Sequence, residues 1–134
     1  MENCIFCKIA NKEIPGKIIY EDDICLAFMD LSQTTNGHTL VIPKKHFKNF
    51  LEVDDETLAH TIKITKQVAN LIVEKLNANG VNILTNANEV AGQTVMHFHL
   101  HIIPRYDNND QIEINFTDRS KIVDLDDLFL KITK

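Results

Sequence analysis

The sequence predicts an α+β domain in which an antiparallel sheet of about five strands carries one long helix across one face. Two observations predict this fold. Short apolar runs rich in β-branched residues are separated by turn residues, as strands are. One longer stretch in the middle of the chain instead repeats its apolar residues at helical spacing. The resulting order of three strands, a helix and two strands is typical of a sheet with a helix on one side.

The first three predicted strands are a hairpin and the strand that follows it. Residues 17–21 and 24–29 are apolar runs joined by a pair of aspartates, which suit a hairpin turn. An Asn-Gly turn then leads into residues 38–43. Pro43 is predicted to end that strand, because proline cannot donate to a strand ladder.

The long helix is predicted to begin at Asp54 and Asp55, because aspartate accepts hydrogen bonds from the free N–H groups of a helix start. Gly80 is predicted to end it. The apolar residues at helical spacing are Leu58, Ile62, Ile64, Val68, Ala69, Leu71, Ile72 and Leu76. The last two strands are predicted at residues 81–86 and 96–103, the second ending at Pro104.

Composition excludes several classes of protein. The chain has 134 residues, 44% apolar and 25% charged, enough for one domain to bury a core without disulfides. A formal net charge of −5 argues against binding to nucleic acid. No apolar run approaches the roughly 18 residues of a membrane span, so we expect no membrane partner. The first residues do not resemble a secretory signal, and three cysteines, an odd number, fit a cytoplasmic protein.

Three of the six histidines, His97, His99 and His101, alternate with apolar residues in the last predicted strand. A period of two puts the three imidazoles on one face of that strand and the apolar side chains on the other. Aligned imidazoles give the fold nothing that threonine or valine would not give better. The alternation therefore indicates a functional site.

The spacing of these three histidines predicts that they have different roles. At about 3.3 Å per residue, His97 and His101 are roughly 13 Å apart, too far for both to bind one zinc ion. A neutral imidazole is a good nucleophile near pH 7, and its attack on phosphorus gives a phosphohistidine. Neighbouring imidazoles can then neutralise phosphate oxygens and move the proton of the leaving group.

The motif His-x-His-x-His-x-x with apolar x resembles the signature of the histidine-triad (HIT) superfamily of nucleotidyl hydrolases and transferases. Further blocks resemble the family in the same order, at residues 12–15, 28–31, 38–46 and 92–95. They are most similar to bacterial HIT-like proteins of the Hint branch, the nucleoside phosphoramidases. The resemblance covers about residues 4–106 and implies a HIT-like fold with a short N-terminal helix. It divides the chain into a HIT domain, residues 1–106, and a tail, residues 107–134.

The resemblance implies a two-step displacement at the α-phosphate of a purine nucleotide. His99 would form a covalent nucleotidyl intermediate, His101 would stabilise the phosphate charge, and His38 would belong to the proton network. Thr94, next to Gln93, matches a residue that reaches the phosphate and the leaving group. The other implied substrate contacts are Gln93 and Asn86 at the phosphate, Asp30 at the ribose hydroxyls, and Ile5, Phe6, Ile9, Phe28 and Leu31 in an apolar slot for the base.

Cys4 and Cys7 form a Cys-x-x-Cys pair, which is half of a zinc site. Some members of the HIT superfamily bind zinc through such a pair and two histidines that match His46 and His97. The resemblance therefore implies a structural zinc ion held by these four side chains. It requires no catalytic metal, because imidazoles and backbone donors can carry the phosphate charge.

The favoured activity is hydrolysis of purine nucleoside phosphoramidates of the AMP-lysine type. Thr94 and the Pro104-Arg105 pair look instead like the branch that cleaves dinucleoside polyphosphates such as Ap4A and Ap3A. A regulatory purine-nucleotide-binding protein and a zinc hydrolase are two further alternatives that the sequence leaves open.

Residues 107–134 lie beyond the resemblance. Ile112, Ile114 and Phe116 alternate, whereas the apolar residues between 125 and 132 have helical spacing. We expect this tail to pack on the domain or on a second subunit. The family commonly forms a homodimer in which the two sheets are joined, so the resemblance implies a homodimer here.

Overall fold

The structure, a computed structural model, describes residues 3–107, 109–110 and 112–134. Its helices and strands are α1 (Ile5–Ala10), β1 (Ile18–Glu21), β2 (Cys25–Met29), β3 (Thr39–Pro43), α2 (Asp55–Leu76), β4 (Gly80–Leu84), β5 (Leu100–Arg105) and α3 (Leu125–Thr133). The five strands form one antiparallel sheet in the order β1-β2-β3-β5-β4. The predicted α+β fold is confirmed.

Helix α2 covers one face of the sheet and buries Ile64, Val68 and Ile72 against strands β2, β3 and β5. The predicted apolar stripe was wider than the buried one, since Ile62 and Leu76 are exposed. Helical spacing alone does not locate the centre of the buried face, because an apolar stripe several residues wide leaves its flanks in solvent.

The other face of the sheet is covered by α1, where Phe6 and Ile9 pack against alternate residues of β2 and β3. Strand β2 serves both faces, because neighbouring side chains in a strand point in opposite directions. A six-residue helix is too short to be stable alone, so α1 depends on this packing.

The long helix begins where it was predicted to begin, with the Asp54 side chain accepting a hydrogen bond from the Thr57 N–H. It ends earlier than predicted. Asn77 takes a left-handed conformation with φ of 56° and caps the helix, while Gly80 is already the first residue of β4. Asparagine tolerates this conformation better than most residues, so it can replace glycine as a helix stop.

The limits predicted for the last strand were wrong. Strand β5 begins at Leu100 rather than at residue 96, and it continues through Pro104. Pro104 is tolerated because the pairing of β3 with β5 ends at Ile102. On the side of β5 that faces β3, no hydrogen bond is lost when residue 104 has no N–H. Only His101 of the three alternating histidines therefore lies in a regular strand.

The turn between β1 and β2 is tied to α2 through Asp22. The Asp22 carboxylate accepts hydrogen bonds from the Tyr20 hydroxyl, from the His60 imidazole at 2.6 Å, and from two backbone N–H groups. Burial acts to raise the pKa of Asp22, but these donors outweigh it and the pKa is lowered. The contacts explain His60 as a link between the turn and α2.

The described part of the C-terminal tail is largely exposed in this single chain. Phe116 is 91% exposed and Ile132 is 82% exposed, and α3 buries none of its residues. That the tail packs on the domain or on a second subunit stays a prediction. Within the described residues, no helix has the length and apolar character needed to cross a membrane.

Candidate functional site

The site is assembled where β3 and β5 pair. Leu40 of β3 lies opposite His101 of β5, so His38, just before β3, comes to lie beside His101. The His38 Nε2 atom is 2.9 Å from the His101 Nδ1 atom. Asp30 follows β2, and its backbone N–H donates to the His38 carbonyl at 3.0 Å, which holds Asp30 beside His38. Neighbouring strands thus bring together residues far apart in sequence.

The hydrogen bonds around His38 and His101 determine where their protons lie. The Thr34 N–H donates to His38 Nδ1 at 3.2 Å, and because an amide N–H can only donate, the proton of His38 is on Nε2. That proton is donated to His101 Nδ1. The remaining proton of His101 is therefore on Nε2, which can donate to a ligand.

His99 has the opposite tautomer. Its Nδ1 lies 2.7 Å from the His97 carbonyl oxygen, which can only accept, so the proton is on Nδ1 and the lone pair is on Nε2. Within the described residues, every fully buried side-chain nitrogen has a hydrogen-bond partner. In this part of the chain His99 Nε2 has no hydrogen-bond partner, so this atom is not fully buried. Solvent therefore reaches His99 Nε2, although the residue as a whole is buried.

His99 is held in place from several sides. The Thr85 hydroxyl donates to its carbonyl at 2.7 Å, and its ring lies edge-on to Phe6 with centroids 5.0 Å apart. The His99 and His101 rings are also 5.0 Å apart. The structure thus brings the side chains of His38, His99 and His101 together.

Burial favours the neutral form of these imidazoles. It lowers the pKa of His99 and of His38, and it lowers the pKa of His101 to about 4, where the nearby His99 and His38 rings add to the effect. Near neutral pH each ring therefore carries a single proton. A neutral His99 keeps the lone pair that a nucleophile needs.

The two oxygens of the Asp30 carboxylate have different partners. One oxygen, Oδ1, accepts hydrogen bonds from the backbone N–H and the hydroxyl of Ser32, which fixes the turn. The other, Oδ2, is 3.7 Å from His38 Nε2 and can accept from a ligand hydroxyl. Burial acts to raise the pKa of Asp30, but the Ser32 donors and nearby imidazoles outweigh it, and the pKa is lowered. The group is therefore a carboxylate at neutral pH.

Residues 86–95 form a loop, the 86–95 loop, that contains three of the expected phosphate contacts. Thr94 is exposed on it, and Asn86 donates weakly to the Gly92 carbonyl at 3.4 Å. The side chain of Gln93 differs from expectation. It is buried and makes all its hydrogen bonds within the protein, to Lys48, Val95, Asn49 and Asn88. Gln93 thus holds the loop, and its amide is not free for a substrate.

The apolar residues expected to line a base slot differ in exposure, and the slot itself stays a prediction. Phe6, Ile9 and Phe28 are buried in one cluster on the α1 side of the sheet. Ile5 is 48% exposed and Leu31 is 96% exposed, so these two have free surface. The pattern of apolar residues could not separate the two groups, because core packing and base binding select the same residue types.

Cys4, Cys7, His46 and His97 converge at the N-terminus of α1. The Cys4 and Cys7 Sγ atoms are 3.3 and 3.4 Å from His97 Nδ1, and Cys7 Sγ is 3.4 Å from His46 Nδ1. His97 Nε2 donates to the Pro43 carbonyl, which leaves the Nδ1 lone pair directed at the sulfur atoms. In tetrahedral zinc, neighbouring ligand atoms are about 3.3–3.8 Å apart. The four side chains therefore fit a zinc ion, with every position filled by protein.

One cavity of about 670 Å³ opens beside this cluster. Its lining includes Ile5 and Thr94, both expected to contact substrate, together with His46 and Met96. The triad imidazoles are not part of its lining. The cavity therefore adjoins the Cys/His cluster, and the end of the 86–95 loop forms part of its lining.

Comparison with known proteins identifies the family. Residues 11–108 match the model of the HIT domain family. The chain belongs to the HIT family. An uncharacterised HIT-like protein of Methanocaldococcus jannaschii is 46% identical over 129 residues, covering 96% of this chain and 98% of that protein. The adenylylsulfatase HINT3 of Arabidopsis thaliana is 38% identical over 103 residues, covering 77% of this chain and 52% of that protein.

Solved structures of HIT proteins have the same fold. A HIT family protein from Bacillus anthracis superimposes with a TM-score of 0.92 at 42% identity, covering 98% of this chain and 94% of the other. A zinc-bound histidine triad family protein from Mycobacterium smegmatis superimposes with a TM-score of 0.79 at 36% identity, covering 90% and 87%.

The hydrogen bonds of this HIT protein predict which ring nitrogen of each histidine is protonated. At pH 7 a long-range ¹H–¹⁵N correlation spectrum should show the proton on Nδ1 of His99 and on Nε2 of His38 and His101. His97 is the internal reference, since its Nε2 donates to a carbonyl. A spectrum with the His99 proton on Nε2 would contradict the assigned arrangement.

Proposed function

We propose that this chain is a nucleotide hydrolase or transferase acting at the α-phosphate of purine nucleoside phosphoramidates of the AMP-lysine type. The observation that carries the proposal is the free Nε2 lone pair of His99, on a neutral ring that is fixed by the His97 carbonyl. The donor on His101 Nε2 lies beside it. A nucleophile next to a hydrogen-bond donor is what displacement at phosphorus needs.

The first step is attack of His99 Nε2 on the α-phosphorus. The Nε2 lone pair forms the new P–N bond, and the amine departs with the electron pair of the old bond and a proton from solvent. The His99 ring becomes cationic, and the His97 carbonyl stabilises that charge through Nδ1–H. The His101 Nε2–H donates to a non-bridging phosphate oxygen, where negative charge is concentrated.

The second step releases the nucleotide. Water attacks the phosphorus of the nucleotidyl-histidine, gives up a proton to solvent, and returns the P–N electron pair to His99 Nε2. Asp30 supports recognition of a nucleoside, because its Oδ2 can accept from a ribose hydroxyl while Ser32 holds Oδ1. The name of HINT3, an adenylylsulfatase, supports an adenylyl group as the part transferred.

The nucleophile can be tested by trapping the intermediate. Wild-type protein mixed with AMP-lysine and quenched in alkali should gain the mass of one AMP. His99→Ala should gain none, and its kcat should fall by about 10³-fold or more, because the covalent route is closed. His60→Gln is the matched control, since among the described residues the His60 side chain hydrogen-bonds to Asp22 alone, away from the triad.

The same experiment separates the alternatives. The proposal requires kcat/KM for AMP-lysine to exceed that for Ap4A. A larger value for Ap4A would make the chain a dinucleoside polyphosphate hydrolase. AMP binding with neither adduct nor turnover on any of these substrates would indicate a regulatory nucleotide-binding protein instead.

We also propose that Cys4, Cys7, His46 and His97 hold a structural zinc ion. The short S···N distances and the Nδ1 lone pair of His97 support it, and the Mycobacterium smegmatis relative is a zinc-bound protein. A closed set of four protein ligands offers no open position to a substrate or water. The ion would tie α1 to the segment after β3, through His46, and to the segment before β5, through His97.

Removing the metal should therefore lower stability and leave chemistry largely intact. We expect about one zinc per chain by elemental analysis, and about none in Cys7→Ser. Cys25→Ala should keep its zinc, because Cys25 is buried elsewhere in the core. Chelation should lower Tm, while kcat measured well below Tm stays within about twofold. A parallel loss of kcat and zinc at constant fold would support a zinc hydrolase.

We propose further that the tail packs against a second copy of the chain, giving a homodimer. The nine-residue helix α3 is too short to be stable alone in water, and its apolar residues are exposed. Arg105, the last residue of β5, anchors the start of the tail through Asp110. Covering the apolar residues of the tail requires another surface.

Sedimentation velocity tests the dimer. The full chain should sediment as a dimer at micromolar concentration, and Phe129→Glu should shift it toward monomer by placing a charge in the covered surface. Val90→Glu is the control, because Val90 is fully exposed but lies outside the tail. A monomeric wild-type chain at all concentrations would exclude the proposed packing.

A further inference from the structure

A buried cluster of side-chain amides lies directly beneath the 86–95 loop. Asn49 and Gln93 are each 2% exposed, yet both are polar. The Asn49 amide nitrogen donates to the Gln93 Oε1 atom at 3.5 Å and to the Asn88 Oδ1 atom at 3.2 Å. Buried polar groups are retained only when they are hydrogen-bonded, so this cluster has a defined geometry. The sequence motifs gave no sign of Asn49, because it lies outside every block that carries the HIT resemblance.

Both the oxygen and the nitrogen of the Gln93 side-chain amide form hydrogen bonds that hold the loop. Its Oε1 atom accepts from the Asn88 N–H at 2.8 Å, and its nitrogen donates to the carbonyls of Lys48 and Val95. The two ends of the loop are thereby joined to each other and to residues 48–49. Asn49 completes the arrangement, because it fixes both the acceptor of Gln93 and the side chain of Asn88.

The backbone of the loop depends on such support. Asn88 has φ of 75° and Gly92 has φ of 101°, and residues 88–92 are exposed. A non-glycine residue at positive φ is strained and persists where its surroundings hold it. The short turn Glu89–Ala91 contributes no buried residue. The amide cluster is therefore the packed base on which this exposed loop rests.

We propose that Asn49 is a positioning residue for the nucleotidyl transfer, acting through Gln93 and Asn88 to hold the 86–95 loop with Thr94 beside the reacting phosphate. The inference rests on the proposed function. Thr94 follows Gln93 directly and is exposed, and it carries the phosphate contact that the family resemblance implies. A change in the Gln93 amide would therefore move that contact. Asn49 itself touches no reacting atom.

Asn49 also has a local role that the test must separate. Its Oδ1 atom accepts from the Leu51 N–H at 3.0 Å, which stabilises the turn after β3. Asn49→Asp keeps an oxygen for Leu51 but loses the two donors to the cluster. Asn49→Ala loses all three contacts. Thr65→Ala, a buried hydrogen-bonded residue of α2, is the control for a general loss of stability.

The experiment measures kcat and KM on AMP-lysine at pH 8, Tm, and amide hydrogen exchange of Gly92 and Gln93 in the full-length chain. Both Asn49 variants should lower kcat by about tenfold or more, with a smaller change in KM, because a displaced group costs orientation. Both should speed exchange in the loop. Thr65→Ala should lower Tm without these changes. In a Gln93→Ala background, Asn49→Ala should have little further effect on kcat.

Three results would overturn the proposal. The first is a wild-type kcat in Asn49→Asp, which would assign Asn49 to the turn alone. The second is an effect of Asn49→Ala on kcat that is as large in the Gln93→Ala background as in the wild type. The third is unchanged hydrogen exchange of the loop in both Asn49 variants. Failure of the proposed function looks different, because wild-type protein would then show no turnover while the exchange measurement still reports whether Asn49 holds the loop.

Discussion

The hydrogen bond from His99 Nδ1 to the His97 carbonyl is the contact on which the site depends. Without it His99 could place its proton on either nitrogen, and half of those arrangements would leave no lone pair toward the substrate. The bond connects two residues of the irregular segment that precedes Leu100, where the backbone is not part of β5.

His97 is therefore constrained from three directions. Its Nε2 donates to the Pro43 carbonyl, its Nδ1 faces the two cysteine sulfur atoms, and its own carbonyl accepts from His99. It is fully buried, and burial lowers its pKa to about 4, which keeps the ring neutral. The residue thus connects the Cys/His cluster to His99, the proposed nucleophile, through its main chain, so the cluster can orient the His99 ring without touching it.

Much of this arrangement could be predicted from the sequence, and the errors have physical causes. The order of strands and the long helix followed from apolar periodicity, because two periods distinguish strand from helix. The start of β5 was misjudged because alternation also occurs in residues 96–99, where tertiary contacts replace the ladder. The Phe98 N–H donates to the Phe47 carbonyl there, and no local pattern encodes that partner. Gln93 and Asn49 show the same limit, since a buried amide and an exposed one look identical in a sequence.

The register between β3 and β5 explains why His38 and His101 form one relay. Leu40 pairs with His101, and His38 lies two residues before Leu40, on the same side of the sheet. A shift of one residue would turn His38 to the opposite face, into the apolar core. The register is itself fixed by core residues on both strands, since Val41 and Ile102 are buried against α2. The packing of the helix thereby determines whether the proton of His38 can reach His101, and with it whether His101 presents a donor to the substrate.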